Sequence, residues 1–527
     1  MTTSVRDPAP GATGGRARRS LGALAGVLAA AVALGVGELA AGIVGPAASP
    51  VVAVGDAAIS VTPEAVKRAA ISTFGEHDKA VLVWGTLAVV TAYAVGIGLV
   101  GLRRPRLAVA GIALFGLVGA VAAATGPAGG PLDALPSLAG AVAGVVALRA
   151  LLARLARPPE AGPPAGAGAA LDRRGFLVTG GLALGAAAVA GGGGRLLQRR
   201  FVVAGERAGL TLPAPASPAA PLPAGADLSR TVAGVTPLFT ANRDFYRVDT
   251  ALTVPQVRPD GYRLTLGGMF DTPHSYTLRD LYRRADLIER DITITCVSNE
   301  VGGDLAGSAR WLGVPLGALL RENGVRPESS QLVCRSVDGM TIGASTRAAL
   351  DVADAMLALG MNGEPLPIPH GFPVRMIIPG QYGYVSACKW LTRIEATTYD
   401  AFDAYWVEQG WAAAGPIKVA SRIDTPSPGG SLPAGRRPIA GVAWAQTRGI
   451  GRVEVRVDEG AWTDADLAPS ADADLWRPWV RRHDFAPGRH TLTVRATTVD
   501  GETQPEAPTD PFPSGATGWH RVTVNVT

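Results

Sequence analysis

One cysteine has a sequence context that suits metal binding. Cys296 follows residues 291–295, whose alternating pattern predicts a strand that delivers the thiol at its end. A thiolate is a soft ligand for transition metals, so a single cysteine there could anchor one. From spacing alone, a buried apolar cysteine is the commoner alternative. No second Cys or His lies at zinc spacing, so a protein-only zinc site is not predicted.

A second group of residues has the chemistry of an anion-binding site. His370 and Arg375 lie in the segment 369–375, where prolines and a glycine predict rigid turns, and Lys389 follows. Arginine binds phosphate through paired hydrogen bonds, and lysine adds a point charge. The segment therefore suits an anionic ligand with a hydrogen-bonding ring. A structural arginine–carboxylate pair beside a loop histidine is the alternative.

Short strands and short helices surround these residues without a regular βαβ repeat, which predicts an α+β domain. Residues 262–266 alternate like a strand, Thr277 is the predicted N-cap of a short helix, and another helix is predicted over 315–322.

The last part of the chain, from about residue 415, has the pattern of a β-sandwich. Residues 453–457, 491–495 and 522–526 alternate, and Asp458-Glu459-Gly460 is a hairpin-turn signal. An immunoglobulin-like module of about 100 residues fits this pattern.

The N-terminal part of the chain contains five apolar stretches, at 21–45, 80–101, 107–126, 135–155 and 176–194. A bilayer core of about 30 Å needs roughly 20 apolar residues in a helix, and each stretch comes close to that. Buried helices of a soluble protein are the alternative. Five stretches in succession, with basic residues on alternate loops, favour an all-α transmembrane bundle.

Arginines flank these stretches unevenly. They cluster before the first, between the second and third, and between the fourth and fifth. The positive-inside rule then predicts a multi-pass protein of the cell membrane with a cytoplasmic N-terminus and an extracytoplasmic catalytic domain. Arg195, Arg199 and Arg200, which follow the fifth stretch, argue the other way.

The segment 172–177 contains Arg173 and Arg174 before Phe-Leu and an apolar run. It resembles a twin-arginine export signal in an internal position. An ordinary juxtamembrane arginine pair is an equal alternative. Such a signal exports folded proteins, which would matter for cargo that receives a cofactor in the cytoplasm.

Composition agrees with a membrane part joined to a globular part. The chain has 527 residues, a net charge of +5 and 18% charged residues, and its mean hydropathy is +0.21. The basic residues gather at the ends of apolar stretches, which favours membrane topology over a nucleic-acid partner. Three cysteines are too few for a disulfide framework, and pairing of Cys334 with Cys388 stays open. We expect a transmembrane region at 1–200, a proline-rich, structureless linker at 201–231, a catalytic domain at 232–412 and a β-sandwich at 413–527.

The residues over 235–527 resemble the sulfite oxidase family of molybdopterin-dependent oxidoreductases. The resemblance is carried, in the family's order, by Cys296 with Asn299, the segment 309–316, the segment 370–375, Lys389-Trp390 and the segment 519–522. It implies a molybdenum centre held by one molybdopterin (pyranopterin), with Cys296 as the protein's only metal ligand. It further implies that the cofactor site contains Asn242, Phe245, Tyr246, Asn299, His370, Arg375 and Lys389. A homodimer formed through the C-terminal domain is also implied.

The chain departs from the family at positions that matter for substrate. Arg247 matches one of the arginines that hold an anion in sulfite and nitrate members, but Val301 replaces another, and 384–385 and 514–518 lack theirs. Each lost charge-assisted hydrogen bond forfeits about 1.5–3 kcal/mol. The sequence therefore favours a neutral or larger substrate, such as a sulfoxide, N-oxide or organic carbonyl, over sulfite.

Three residues are predicted to line the substrate pocket: Arg247, Trp311 and Trp411. Trp311 keeps its place in the family pattern, whereas Trp411 stands where a family tyrosine lies near the metal. The predicted reaction is two-electron oxygen-atom transfer.

Electrons must pass to or from a separate partner, a quinone or a cytochrome, because the chain has no Cys-x-x-Cys-His motif and its apolar stretches contain no histidine pair.

Three alternatives remain. One is a sulfite oxidase or sulfoxide reductase proper, and one is a cofactor-free extracytoplasmic binding protein on the same fold. The third is a transporter, although only Glu38 and terminal arginines are ionisable in the apolar stretches.

Overall fold

The computed structural model describes residues 12–63, 66, 73, 78–156 and 172–527. The chain divides into two compact units. The first runs up to Val202 and includes Thr250–Val254, and the second comprises Val203–Asp249 and Pro255–Thr527. The predicted segments 232–412 and 413–527 thus belong largely to one unit, and a domain boundary between them stays a prediction.

The first unit is helical. Its helices are α1 (Ala12–Val44), α2 (Pro50–Val61), α3 (Asp78–Gly101), α4 (Pro105–Thr125), α5 (Leu135–Ala156) and α6 (Arg173–Gln198). Within the described residues, five helices are long and apolar enough to cross a membrane, and α2 is shorter. These five correspond to the five predicted apolar stretches.

Helix α1 packs against α3, α5 and α6, and glycines set the distance between α1 and α3. A Cβ at Gly26 of α1 would lie 1.9 Å from the Ala94 carbonyl oxygen. A Cβ at Gly98 of α3 would lie 2.0 Å from the Gly22 carbonyl oxygen. Small residues at such a crossing let two backbones approach closely, which is a common way for apolar helices to associate.

Several polar groups of the helical unit are hydrogen-bonded within it. Gln198 Nε2 donates to Glu38 Oε2 over 2.9 Å, and Ser49 Oγ donates to Oε1. Asp172 caps α6 because its Oδ1 accepts from the Gly175 backbone N–H over 2.8 Å. Arg173 and Arg174, the proposed export pair, therefore lie in the first turn of a helix.

The second unit begins with two sheets and several short helices. The strands are β1 (Arg263–Gly268), β2 (Ser275–Thr277), β3 (Ile288–Thr295), β4 (Ala306–Pro315), β5 (Gln331–Ser336), β6 (Thr341–Ser345), β7 (Met356–Met361), β8 (Glu364–Pro365), β9 (Arg375–Ile377) and β10 (Leu391–Thr397). The helices are α7 (Ala204–Ala208), α8 (Leu278–Tyr282), α9 (Leu316–Glu322), α10 (Thr346–Asp351), α11 (Gly383–Ser386) and α12 (Tyr405–Glu408).

One sheet has the order β2-β1-β10-β5-β6, and the other has the order β3-β4-β7-β8 with β9 also pairing β7. Apolar side chains of both sheets and of α8 and α9 form one core. The predicted strand at 262–266 is β1, the predicted helix at 315–322 is α9, and Thr277 Oγ1 caps α8 by accepting from the Asp280 N–H. The α+β prediction is confirmed.

Two further sheets follow. Their strands are β11 (Ala420–Thr425), β12 (Ser431–Leu432), β13 (Gly435–Trp444), β14 (Ile450–Val457), β15 (Thr463–Asp464), β16 (Asp466–Leu467), β17 (Arg477–Phe485), β18 (Gly488–Thr498) and β19 (His520–Val526). The orders are β11-β13-β17-β16 and β12-β19-β18-β14-β15. Residues of both sheets, including Ile439, Trp479, Leu492 and Val522, share one core. The region is β-rich as predicted, and its immunoglobulin-like character stays a prediction.

The sequence predicted a structureless linker at 201–231. In the structure, part of this proline-rich segment pairs with the second unit and is therefore ordered by it. Ser217 forms a parallel bridge with Ile288 of β3, and the Ala216 N–H donates to the Leu287 carbonyl over 2.8 Å. The Glu289 N–H donates to the Ser217 carbonyl over 2.9 Å. Proline removes backbone donors without preventing extended pairing at a sheet edge. This segment therefore pairs with β3, the strand that leads into Cys296.

The glycine crossing gives a first prediction. Gly98→Leu should destabilise the helical unit by about 1–3 kcal/mol or more, because the new side chain meets the α1 backbone. Gly96→Leu, on the same helix, is the matched control, since no atom lies within 4 Å of a Cβ there. Thermal unfolding of the detergent-solubilised protein measures the difference. Equal midpoints for the two variants would contradict the close crossing.

Candidate active site

Cys296 lies directly after β3, at the start of a tight loop. Its N–H donates to the Leu305 carbonyl over 2.9 Å, and its carbonyl accepts from the Asn299 N–H over 3.1 Å. Asn299 Oδ1 in turn accepts from the Leu305 N–H over 2.8 Å. The loop from Cys296 to Leu305, called the cysteine loop below, is therefore closed by its own hydrogen bonds and fixes the thiol.

The Cys296 thiol is buried. Burial raises the pKa of the Cys296 thiol, while hydrogen bonds from the Ser298 N–H and hydroxyl, and the charge of Lys389, act in the opposite direction. Donors aimed at the sulfur favour its anionic form. The thiol is thus arranged for a bound cation to complete deprotonation, as a metal ligand requires.

Tyr246 and Phe245 lie beside the thiol. Burial raises the pKa of Tyr246 well above its ordinary value, with the nearby Cys296 adding to the rise and Arg375 opposing it. The Phe245 ring stacks on Tyr246 at 5.4 Å and meets the rings of Trp311 and His370 edge-on, at 5.9 and 5.6 Å. The structure therefore brings these predicted residues together.

His370 is held neutral. It ends a short 3-10 turn, and its Nε2 lies 2.9 Å from the Asn242 carbonyl oxygen, so Nε2 carries the proton. Burial, helped by the charges of Arg375, Lys389 and Arg247, lowers the pKa of His370 to about 4. At neutral pH its ring can donate and accept hydrogen bonds without charge.

Arg375 is a buried cation at the start of β9. Its Nη1 donates to the His370 carbonyl over 3.1 Å, its guanidinium lies 5.3 Å from the Trp311 ring centre, and its Nε has no hydrogen-bond partner. Burial lowers the pKa of Arg375 to about 10. Within the described ranges, no carboxylate lies within ion-pair distance of it. A buried guanidinium without a counter-charge needs an anion.

Lys389 and Arg247 share one carboxylate. Asp249 Oδ2 lies 2.8 Å from Lys389 Nζ and 2.6 Å from Arg247 Nε, and Arg247 Nη2 donates to Oδ1 over 3.1 Å. Burial lowers the pKa of Lys389 to about 8. The backbone of Gly371 packs closely against Lys389. A Cβ on Gly371 (φ +109°) would lie 3.1 Å from Lys389 Cα.

These residues fit a molybdopterin that ends in a phosphate. Among the described residues, Arg247 and Lys389 share the carboxylate of Asp249, whereas Arg375 has no carboxylate within ion-pair distance and its Nε is a buried donor with no partner. An anionic group would supply both the charge and the acceptor. The buried Cys296 thiol, with its Ser298 donors, would be the group available to a metal there.

The side chains of Asn242 and Asn299, both predicted in the cofactor site, form hydrogen bonds with other residues of the protein. The Asn242 amide donates to Glu364 Oε1 over 2.5 Å and to the Met361 carbonyl over 3.3 Å, and its Oδ1 accepts from Asn362 Nδ2 over 2.9 Å. Asn299 Oδ1 closes the cysteine loop. Both residues thus support the site through the backbone around it.

The two tryptophans of the predicted pocket lie in different places. Trp311 has no exposed surface, and its Nε1 donates to the Ile292 carbonyl over 3.1 Å, so it lies beneath Arg375 and does not line a pocket. Trp411 packs with Val297, Tyr384 and Phe512, and its buried Nε1 has no hydrogen-bond partner. Trp411 therefore lies next to the cysteine loop.

Sequence reasoning missed Asp249, Ser298 and Tyr382. Asp249 stands two residues from Arg247, which is a usable signal for a carboxylate partner. Burial raises the pKa of Tyr382 to about 12, and Cys296 contributes, so its hydroxyl also lies near the thiol. Nothing in the sequence around Tyr382 reveals that proximity.

A small cleft borders the cysteine loop. Its walls are Thr295, Asn299, Glu300, Val301, Gly302, Tyr382, Val419, Ala420, Ser421, Trp444, Gln504, Ala516, Thr517 and Gly518. None of these described residues is cationic, and Glu300 is the single carboxylate among them. The hydroxyls of Thr295 and Thr517 are buried there without a hydrogen-bond partner. The described walls of this cleft therefore offer an anion no positive charge.

This part of the chain is similar in sequence to known molybdopterin-binding proteins. Residues 251–406 match the oxidoreductase molybdopterin binding domain. Over 327 residues the chain is 28% identical to mitochondrial sulfite oxidase of Rattus norvegicus, covering 52% of this chain and 59% of that protein. Over 290 residues it is 30% identical to sulfite oxidase of Gallus gallus, covering 46% and 62%. It thus spans about three fifths of these relatives' length.

A solved structure is also similar. The sulfane dehydrogenase SoxCD from Paracoccus pantotrophus matches with a TM-score of 0.47 and 23% identity, covering 55% of this chain and 84% of that one. The matched domain is an oxidoreductase domain whose cofactor is molybdopterin with molybdenum. The chain therefore contains a molybdopterin-binding oxidoreductase domain of the sulfite oxidase type.

The neutral state of His370 predicts a pH dependence of stability. Because its folded pKa is about 4 and an unfolded histidine has a pKa near 6.5, the unfolded chain binds more protons between these values. Stability should therefore fall by about 2–3 kcal/mol between pH 7 and pH 4.5 through this group. His370→Gln should remove that share, measured by chemical unfolding at both pH values. His274→Gln, at an exposed position, is the control and should leave the dependence unchanged.

Proposed function

We propose that this protein is a membrane-anchored molybdopterin oxidoreductase that transfers an oxygen atom in a two-electron reaction, with Cys296 as the protein ligand of molybdenum. The observation that carries the proposal is the buried Cys296 thiol, which has Ser298 donors and the charge of Lys389 nearby. When bound, the molybdenum cofactor supplies the redox and oxygen-transfer chemistry. The protein supplies the thiolate, the orientation and a shaped site.

Each side chain has a stated task in this proposal. Arg375 and Lys389 bind the phosphate of the cofactor, and neutral His370 offers Nδ1 as an acceptor to the pterin ring. Phe245 and Tyr246 pack against it, and Trp311 supports Arg375 from below. Asn242 and Asn299 hold the surrounding backbone.

The proposed substrate is uncharged or larger than sulfite. Two donors of Arg247, the predicted anion-binding arginine, are directed to Asp249, and only a third of the side chain is exposed. The cleft beside the cysteine loop has no cationic wall residue within the described chain. A small dianion would meet little compensating charge there. Trp411 beside Val297 would give such a substrate an apolar contact.

Sulfite oxidation itself is the second candidate. It rests on the names of the relatives, which are sulfite oxidases at 28–30% identity. The differences at Val301 and around Arg247 weigh against transferring that substrate to this chain.

The proposal extends to location and partners. The five apolar helices would anchor the enzyme, and the arginine distribution supports an extracytoplasmic catalytic unit exported with its cofactor by the Arg173-Arg174 signal. A separate donor or acceptor, quinone or cytochrome, would exchange electrons with it. The C-terminal sheets, immunoglobulin-like in this proposal, would form a homodimer.

Ligand exchange at Cys296 tests the metal assignment. Cys296→Ser should keep its pterin but lose turnover, because a neutral hydroxyl is a poor substitute for a thiolate ligand. Cys334→Ser is the matched control, since that thiol is also buried and unpaired but belongs to the apolar core. Elemental analysis, pterin fluorescence and dye-linked activity are measured together. Unchanged turnover in Cys296→Ser would refute the assignment.

A substrate comparison tests the charge argument. The wild-type protein should reduce dimethyl sulfoxide or trimethylamine N-oxide with a reduced dye more efficiently than it oxidises sulfite with a dye acceptor. Val301→Arg adds a cation to the cleft wall and should raise kcat/KM for sulfite by about tenfold or more, as one charge-assisted hydrogen bond permits. Val301→Leu controls for size. Efficient sulfite turnover by the wild type would favour the second candidate.

A further inference from the structure

Asp249 was not among the residues predicted from the sequence, yet it forms the short ion pairs of the site. Its side chain is 5% exposed and pairs with both Lys389 Nζ, at 2.8 Å, and Arg247 Nε, at 2.6 Å. Lys389 Nζ also donates to the Val248 carbonyl over 3.1 Å. One carboxylate thus bridges two cations that come from distant parts of the chain.

We propose that Asp249 is a positioning residue for the cofactor, whose carboxylate fixes Lys389 and Arg247 and keeps the lysine charged for the anionic end of molybdopterin. The inference rests on the proposed function of Lys389 as a phosphate ligand. Asp249 itself does not contact the cofactor in this proposal.

The charges around Lys389 explain why a carboxylate is needed. Burial, Arg375 and Arg247 all disfavour a protonated amine at this place, and Asp249 opposes them by charge and by a hydrogen bond. His370 is neutral and adds no charge, and Cys296 is close enough for its thiol to respond to the lysine. Among the residues that the structure describes, Asp249 is the only carboxylate within ion-pair distance of Lys389. A lysine that loses its proton no longer attracts a phosphate.

The same carboxylate restricts Arg247. Two of its guanidinium nitrogens are bound, to Oδ2 and Oδ1, in the forked geometry that gives arginine pairs their directionality. A free arginine side chain samples many rotamers, and ordering it costs about 1.5–2 kcal/mol. Asp249 orders this side chain before any ligand arrives.

A purely structural role of Asp249 would have a different effect on cofactor binding. If Asp249 only tethered its loop to Lys389, its removal would weaken cofactor binding equally at every pH. If it holds the lysine charged, the defect must depend on pH, because the pKa of Lys389 is about 8 with Asp249 present and falls without it.

The experiment compares wild type with Asp249→Asn, purified as full-length protein and dialysed to equilibrium between pH 6 and pH 9. Pterin fluorescence and molybdenum per protein are measured at each pH. Wild type should retain its cofactor at low pH and lose it as the pH rises through the lysine titration. Asp249→Asn should lose its cofactor roughly one pH unit or more below wild type, so it should hold less cofactor than wild type throughout the neutral range.

Two further variants separate charge from folding. In Asp249→Asn/Lys389→Arg the guanidinium stays protonated, so pterin content should recover and become independent of pH. Lys389→Arg alone should likewise remove the loss above pH 8, which tests the inference even if Asp249→Asn does not fold. Asp244→Asn, beside the exposed Arg243, is the matched surface control and should behave like wild type.

Each outcome bears on the inference. Identical curves for wild type and Asp249→Asn, or an equal loss at all pH values without rescue by arginine, would overturn it. Wild-type protein that contains no pterin at any pH would instead overturn the proposed function on which the inference rests.

Discussion

Buried positive charge beside Cys296 is the constraint on which the rest of the catalytic unit depends. Arg375 and Lys389 have lost most of their contact with water, and burial lowers the pKa of each. One described carboxylate, Asp249, compensates part of this charge. Protein interiors keep uncompensated charge only when a bound partner repays the desolvation. The arrangement is thus that of a binding site whose ligand is anionic.

The elements around the site serve to hold that charge in place. The turn at Gly371 brings its backbone against Lys389, and Trp311 lies under the Arg375 guanidinium. The C-terminal sheets take part as well. Arg422 Nη1 donates to the Gly303 carbonyl over 2.9 Å, and the His520 ring packs where a Cβ on Gly302 would stand. The cysteine loop is therefore clamped from both halves of the unit, which accounts for its fixed shape.

The molybdopterin-binding domain of the sulfite oxidase type accounts for the cofactor, and the proposed difference in substrate rests on the local charges. The residues that would bind the cofactor are assembled, whereas Arg247 is already paired with Asp249 and the adjoining cleft has no cationic wall residue in the described chain. A domain can keep its cofactor machinery while its substrate contacts change, because different side chains perform the two tasks. The helical unit contains five helices that are long and apolar enough to cross a membrane, with glycines at its closest crossing and Glu38 hydrogen-bonded.

The sequence by itself determined the features that depend on local pattern. Apolar stretches of about twenty residues predicted the helices, and strand alternation before Cys296 predicted α+β elements. The cofactor was implied by the resemblance of the Cys296, His370, Arg375 and Lys389 segments to the sulfite oxidase family. Only the tertiary structure decided which charges meet. Asp249 pairs with a lysine 140 residues away, Trp311 lies beneath the site, and Tyr382 approaches the thiol from another strand connection. Ion pairing and burial depend on three-dimensional distance, which neither periodicity nor spacing along a chain encodes.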